Sequence, residues 1–345
     1  MKKLILAFTL PLLSFLLLSC APSSGGDVSS SVEEIPSSET SEKETSYQLL
    51  LDNTFQNGFS VSPASGSRQD DGWIPDDRWA RDVDLTYGDV NGPISWLVAQ
   101  HGDIYSLNDK YNKYVGEKPT YENGYYTFFD ESKQMSVNPT TGSLYLELNA
   151  SKEYVRPRKS GEQWCHLLLN QGFMRAVSLS EVSSVDFTID LELKKWEDHM
   201  DGQADRNVHA CQFLMYLVIK SEAALDANDF FWFGIPFFDN RYPNGLPESG
   251  MVDAGGAGAT SKFIYGMPSS DYLPNGMPLG SKQSVNVDIK PYIGNALVKA
   301  RSMGYFVNSE LNDLTFQSMN IGFEIPGTYD CGIEISNFTL TAQYL

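Results

Sequence analysis

Residues 47–345 are predicted to form an all-β domain, an antiparallel β-sandwich with one helix at its edge. Three observations predict it: apolar residues alternating with polar ones at period 2, runs that are apolar on both faces, and Gly, Pro and Asn spaced as turns. Successive side chains on a strand point to opposite faces, so alternation marks a strand with one face in a core.

In chain order, Leu144, Leu146 and Leu148 alternate with Tyr145, Glu147 and Asn149. Val185, Phe187, Ile189, Leu191 and Leu193 alternate with Asp186, Thr188, Asp190, Glu192 and Lys194, the clearest half-buried strand. Residues 208–219 and 230–238 are apolar on both faces, as strands in the middle of a covered sheet are. Residues 251–261, with Pro243-Asn244-Gly245 and Pro274-Asn275-Gly276 nearby, read as long surface loops. Pro291 opens a helix running to about residue 303, because Ile293, Leu297, Ala300 and Gly304 share one face. Met319, Ile321, Phe323 and Ile325 then alternate with Asn320, Gly322 and Glu324.

Ahead of the domain, Lys2 and Lys3 precede an apolar run over residues 4–18, broken by Thr9, Pro11 and Ser14 and closed by Leu17-Leu18-Ser19-Cys20. A basic start, a short apolar core and small residues at the end mark a secretory signal, too short for a comfortable membrane span. The segment resembles the signal of bacterial lipoproteins. That resemblance implies that residues 1–19 are cleaved and that the Cys20 thiol is lipidated with chains such as palmitate. Residues 20–46 are rich in Ser, Glu, Thr and Pro and read as a disordered stalk, with a reach of roughly 25–30 Å. The expected address is the cell surface, lipid-anchored to the bacterial membrane with the domain facing outward.

The chain carries 44 acidic residues against 25 basic ones, a net charge of −19 at pH 7. Phosphate backbones and anionic lipid surfaces would repel it, so nucleic acid is excluded as a partner and the lipid anchor is the expected membrane contact. Acidity of this degree also serves simply to keep an exported domain soluble. Cys165, Cys211 and Cys331 each lie in an apolar, strand-like run and are expected as packed thiols, a single disulfide being the alternative. With no Cys-x-x-Cys and no His-Glu-x-x-His, no zinc centre or cofactor is expected. The acidic run over residues 70–84 offers oxygen ligands to a structural calcium. It lacks the spacing of an EF-hand, however, and Arg78 and Arg81 are placed to neutralise the same carboxylates.

The segment Cys331-Gly-Ile-Glu-Ile-Ser-Asn-Phe-Thr-Leu-Thr-Ala resembles the last strand of carbohydrate-binding jelly rolls, and Leu50-Leu-Asp-Asn-Thr-Phe-Gln-Asn-Gly-Phe resembles their first. The resemblance implies a jelly roll like those of lectins, glucanases and polysaccharide lyases, which share an architecture and not a chemistry. No catalytic residue carries over from it.

Candidate chemistry comes from which side chains share a face. Asp190 and Glu192 lie about 7 Å apart along one strand face, a spacing from which two carboxyl groups reach the range used in glycoside hydrolysis. The competing reading is a solvated strand face with Lys194 as counter-charge. Trp232 alternates against Phe231, Phe233, Ile235 and Phe237 and is expected beside Gly234 as an open platform for a sugar ring, with Gln212, Tyr216 and Glu324 sharing its face. It is equally readable as an indole covered by the Gly-rich stretch. Arg241 sits at a strand end, either to grip a uronate or to tie its loop to Asp239. His166 and His209 are the imidazoles available as a base, although a histidine on an apolar strand more often serves as a hydrogen-bonded core residue.

Three functions remain open at this stage. The leading one is recognition of a carbohydrate polymer on a polar sheet face. The second is a glycoside hydrolase or lyase using the same cleft, with Asp190 and Glu192 as acid and nucleophile or base. The third is a scaffold whose loops bind another protein; a shared groove holding Trp232, Glu192 and Gln212 would count against it.

Overall fold

Two β-sheets stack face to face, and side chains from both fill the space between them. The computed structural model describes residues 44–64, 81–90, 92–227, 229–254 and 259–345. The leader, Cys20, most of the stalk and most of the acidic run proposed for calcium lie outside the described residues.

Among the described residues, numbered along the chain, eight strands make one sheet. They are β1 (Ser46–Gln48), β5 (Thr120–Glu122), β6 (Tyr125–Phe129), β7 (Lys133–Asn138), β8 (Ser143–Asn149), β10 (Val182–Asp198), β15 (Lys282–Asp288) and β17 (Tyr329–Tyr344). The other sheet holds β2 (Phe59–Val61), β3 (Val83–Leu85), β4 (Trp96–Ala99), β9 (Cys165–Ser178), β11 (Gln212–Ser221), β12 (Phe230–Asp239), β13 (Ser249–Val252), β14 (Phe263–Gly266) and β16 (Leu314–Ile325). Short helices α1 (Asn108–Tyr111) and α2 (Ala150–Glu153) sit in connections, and α3 (Lys290–Ser302) carries the chain from β15 to β16. No helix among the described residues is long and apolar enough to cross a membrane.

The strand order is that of a jelly roll. β8 pairs with β17 in the first sheet and β9 with β16 in the second, while β10 pairs with β17 and β11 with β16. One long double strand thus passes from sheet to sheet as it coils, the wrapping that defines a jelly roll. Pairing is antiparallel except for two short parallel pairs, β2 with β4 and β12 with β14.

The period-2 residues point where alternation places them. Val185, Phe187, Ile189 and Leu191 of β10, Leu144, Leu146 and Leu148 of β8, and Ile321, Phe323 and Ile325 of β16 are all fully buried. Across the interior, the Phe187 ring lies 6.1 Å from Phe237 of β12, and Trp96 of β4 stacks 6.2 Å from Phe338 of β17. Truncating one such aromatic to Ala typically costs about 3–5 kcal/mol, lost burial plus a cavity the walls cannot close. The three described cysteines are free and buried, as packed thiols.

Some local expectations need correction. Residues 208–211 are not strand: Val208 and His209 fold back to donate to the Asp205 carbonyl, and β11 begins at Gln212. Residues 50–58, likened to a first strand, form a turn-rich connection with Asp52 and Phe55 at positive φ. The Asp52 carboxylate fixes that turn by accepting from the backbone of Gln56 and Asn57 at 2.7 and 2.8 Å. Met251 and Val252, read as loop, belong to β13, whose hairpin with β14 is extended by reciprocal bonds between Asp253 and Ser261–Lys262. Helix α3 buries Ile293, Leu297 and Ala300 as expected and adds Ala296, while Gly304 lies past its end at φ 87°. Ser46, assigned to the stalk by composition, opens β1 and pairs with Gln343.

Candidate functional site

The sandwich has two outer faces, and the candidate residues divide between them. Asp190 and Glu192 stand on β10, on the outer face of the first sheet, beside Lys282 of β15 and Glu334 of β17. Trp232, Tyr216, Gln212 and Glu324 stand on β12, β11 and β16, on the outer face of the second sheet. The shared cleft expected for both groups is not formed, because β10 and β12 belong to opposite layers whose common side is the packed core.

On the first sheet the carboxylates are paired. Asp190 meets Lys282 at 2.8 Å and accepts from Ser284 at 2.6 Å. Burial pushes its carboxyl up, but these two bonds outweigh burial and hold its pKa below the usual value. Lys194 lies 3.0 Å from both Glu192 and Glu334. Lys194 thus supplies the counter-charge that the competing reading required.

The second sheet's outer face is different. Cross-strand register places Tyr216 opposite Asn320 on one side and Gly234 on the other, with Asn320 opposite Asn170 of β9. Two residues further along each strand, Gly322 opposes Leu214 and Leu168; beyond it, Glu324 opposes Gln212 and His166. Side chains at i, i+2 and i+4 share a face, so Asn320, Gly322 and Glu324 present one polar row with a gap in its middle.

Trp232 is half-buried, and its indole N–H donates to Thr260 Oγ at 3.2 Å, while Thr260 donates to Asp253 at 2.6 Å. The space over Gly234 is not open as expected. The Tyr216 ring fills it, edge-on to the indole with centroids 5.9 Å apart, and a Cβ at Gly234 would come within 2.9 Å of that ring. The platform is therefore a Trp232–Tyr216 pair, held at one edge by the β13–β14 hairpin.

Glu324 carries the unusual electrostatics. It has no hydrogen-bond or ion-pair partner among the described residues. Burial, reinforced by the charge of Asp253, pushes its pKa up to about 7. Near neutrality it is a carboxylic acid that still holds a proton for part of the time, a state suited to donating to an oxygen. Asn320 Oδ1 is buried without a donor, and burial followed by the charges of Glu324 and Asp253 raises the Tyr216 phenol. An unsatisfied buried acceptor costs about 1–3 kcal/mol.

At the far end of the row, His166 Nδ1 lies 2.9 Å from the His101 carbonyl, and its ring stacks 6.4 Å from Trp164. Burial lowers the pKa of both imidazoles, with His166 adding to the effect on His101. They favour the neutral form, able to accept and donate at once.

Gln212 and Arg241 are engaged elsewhere. Asp239, buried, accepts from Arg241 Nη2 at 2.6 Å and Nε at 2.9 Å and from Gln212 Nε2 at 3.0 Å. The tie between Arg241 and Asp239 is the arrangement formed. His209 is a buried structural residue: Nδ1 accepts from the Asp205 backbone at 2.9 Å, leaving Nε2–H to donate to the Arg158 carbonyl at 2.7 Å. Asp253, Asn170, Trp164 and the unpaired Oδ1 of Asn320 escaped the sequence reading. Asn320 was within reach, as it alternates with Met319 and Ile321; Asp253 arrives only through the hairpin.

No protein-family model matches this chain, and no curated protein matches it. Among solved structures it is similar to a family 12 xyloglucanase from Bacillus licheniformis bound to a ligand, at 13% identity and a TM-score of 0.37, covering 66% of this chain and 97% of that one. It is also similar to an endoglucanase from Rhodothermus marinus, at 13% identity and a TM-score of 0.35, covering 64% and 93%. A third is the xyloglucanase domain of a type three effector from Sinorhizobium fredii in complex with cellobiose, at 10% identity and a TM-score of 0.35, covering 65% and 95%. The jelly-roll assignment rests on this chain's own strand order.

Proposed function

We propose that this chain recognises a carbohydrate polymer on the outer face of the β9–β16–β11–β12 sheet, displayed at the bacterial surface through a lipid on Cys20. The observation that carries the reading is a polar row, Glu324 with no protein partner among the described residues and Asn320 with its Oδ1 unpaired, beside the paired rings of Trp232 and Tyr216. Sugars present apolar C–H faces to aromatic rings and hydroxyls to amides and carboxyls, and this face offers both within one sheet. The paired carboxylates and lysines of the opposite face offer neither.

Glycan-array screening followed by affinity gel electrophoresis tests it. At least one polysaccharide should retard the protein, and Trp232→Ala should weaken retention about tenfold, equivalent to about 1.4 kcal/mol. Asp190→Asn and Glu192→Gln should leave it unchanged. Retention that survives Trp232→Ala but is lost in the Asp190 variant would move the site to the other face; no retention by any glycan would end the reading.

Hydrolysis is a second reading, supported by the raised pKa of Glu324, about 7 beside the charge of Asp253, which leaves it partly protonated at neutrality as a general acid needs to be. Reducing-sugar release by the wild type and its loss in Glu324→Gln would support it. Undiminished release by that variant would assign the chemistry elsewhere.

A further inference from the structure

We propose that Glu197, His199 and Asp330 form a site for a divalent transition-metal ion, with Zn2+ the fitting case. In the β10–β17 ladder Glu197 stands directly opposite Asp330, and like charges so placed destabilise a sheet unless something lies between them. His199, two residues beyond Glu197, is held against the pair by its own backbone. Its N–H donates to the Thr328 carbonyl at 3.0 Å, and Thr328 Oγ donates back to the His199 carbonyl at 2.9 Å.

His199 Nε2 lies 3.2 Å from Glu197 Oε2 and 3.3 Å from Asp330 Oδ2, and the three ligand atoms all lie within 4.8 Å of one another. Tetrahedral zinc with bonds of 2.0–2.2 Å sets its ligand atoms about 3.3–3.5 Å apart, so two of the three edges already have metal-site length. The third closes by rotation of the exposed Glu197 side chain. Asp330 is buried and oriented by Ser151, whose N–H and Oγ donate to its two oxygens at 3.0 Å each, the outer support that ligating carboxylates carry. Lys195, the neighbouring ammonium, is committed to Glu147 at 3.0 Å and Asn149 at 2.6 Å. One imidazole with two carboxylates leaves a fourth position for water and favours zinc over calcium or magnesium, which prefer all-oxygen sets. Bound there, the ion would lock the end of the β10–β17 pair to the turn that enters β17.

The test uses the full chain without a histidine tag, in a Cys20→Ser background that leaves only the three buried thiols, stripped with EDTA. Isothermal titration with ZnCl2 should show one ion per chain and a raised melting temperature. His199→Ala and Glu197→Gln, each with a wild-type circular dichroism spectrum, should weaken binding by about 10–100-fold or more. No one-to-one heat in the parent, binding unaltered by His199→Ala, or equal binding of Ca2+ would overturn the site. The trio would then be a set of polar contacts between His199 and two carboxylates.

Discussion

Replacing Glu324 by Gln should remove a specific slope from the dependence of stability on pH. Burial and the charge of Asp253 raise this carboxyl from 4.5 to about 7 in the folded chain. A raised folded pKa means that the native state keeps a proton the unfolded chain gives up. The stabilisation is therefore fully present below pH 4.5 and is lost as pH rises through 7. At 1.36 kcal/mol per pH unit, the interval corresponds to about 3 kcal/mol. For a domain of this size, with a melting temperature that moves by about 2 °C per kcal/mol, the wild type should lose about 6 °C more than Glu324→Gln between pH 4.5 and 8. Scanning fluorimetry of both proteins across that range reads the difference directly. Other carboxylates titrate in both and cancel. Parallel curves would show that Glu324 titrates like an exposed glutamate and would remove the protonated acid from the site.

Lys133 is fully buried and lies 3.1–3.3 Å from Glu153, Asp130 and Asp103. Burial would drive its ammonium toward neutrality, but the three carboxylates outweigh burial and raise its pKa, while burial raises Asp103 well above the ordinary carboxylate range despite Lys133. Lys133→Met should cost about 3–5 kcal/mol in urea unfolding, and an unshifted midpoint would show the cluster to be neutral already. For the anchor, Cys20→Ser should abolish fatty-acid labelling and detergent partitioning while leaving the thermal transition in place. A labelled serine variant would refute the lipobox reading.

The layered fold was legible because burial on one face leaves a two-residue period that survives in the sequence, as the run from Val185 to Leu193 does. Turn chemistry and apolar content could not separate loop from hairpin at Met251 and Val252, since a short edge strand paired to β14 needs no periodic signal of its own. The face of each candidate was legible, but its sheet was not. Asp190 and Trp232 both point outward, and period 2 says nothing about which of two layers a strand joins. That choice is made by pairings between strands far apart in the chain. For the same reason Asp330 could not be matched with His199 from the sequence, although the ladder makes them neighbours.

The two outer faces also differ in what they have left to give. On the first sheet Lys282, Lys194 and Lys195 neutralise Asp190, Glu192 with Glu334, and Glu147, respectively. Pairs this exposed contribute only about 0–1 kcal/mol each, yet they use up the hydrogen-bonding capacity of the groups involved. On the second sheet, among the described residues, Glu324 has no protein partner and Asn320 Oδ1 is buried without a donor, the latter at a cost to the fold. A ligand rich in hydroxyls gains nothing by displacing a lysine from a carboxylate in water. A carboxyl group without a protein partner, such as Glu324, can be reached without that displacement. The face proposed for binding is therefore the one on the β16–β11–β12 side of the sandwich, where the aromatic pair stands beside polar groups that no lysine neutralises.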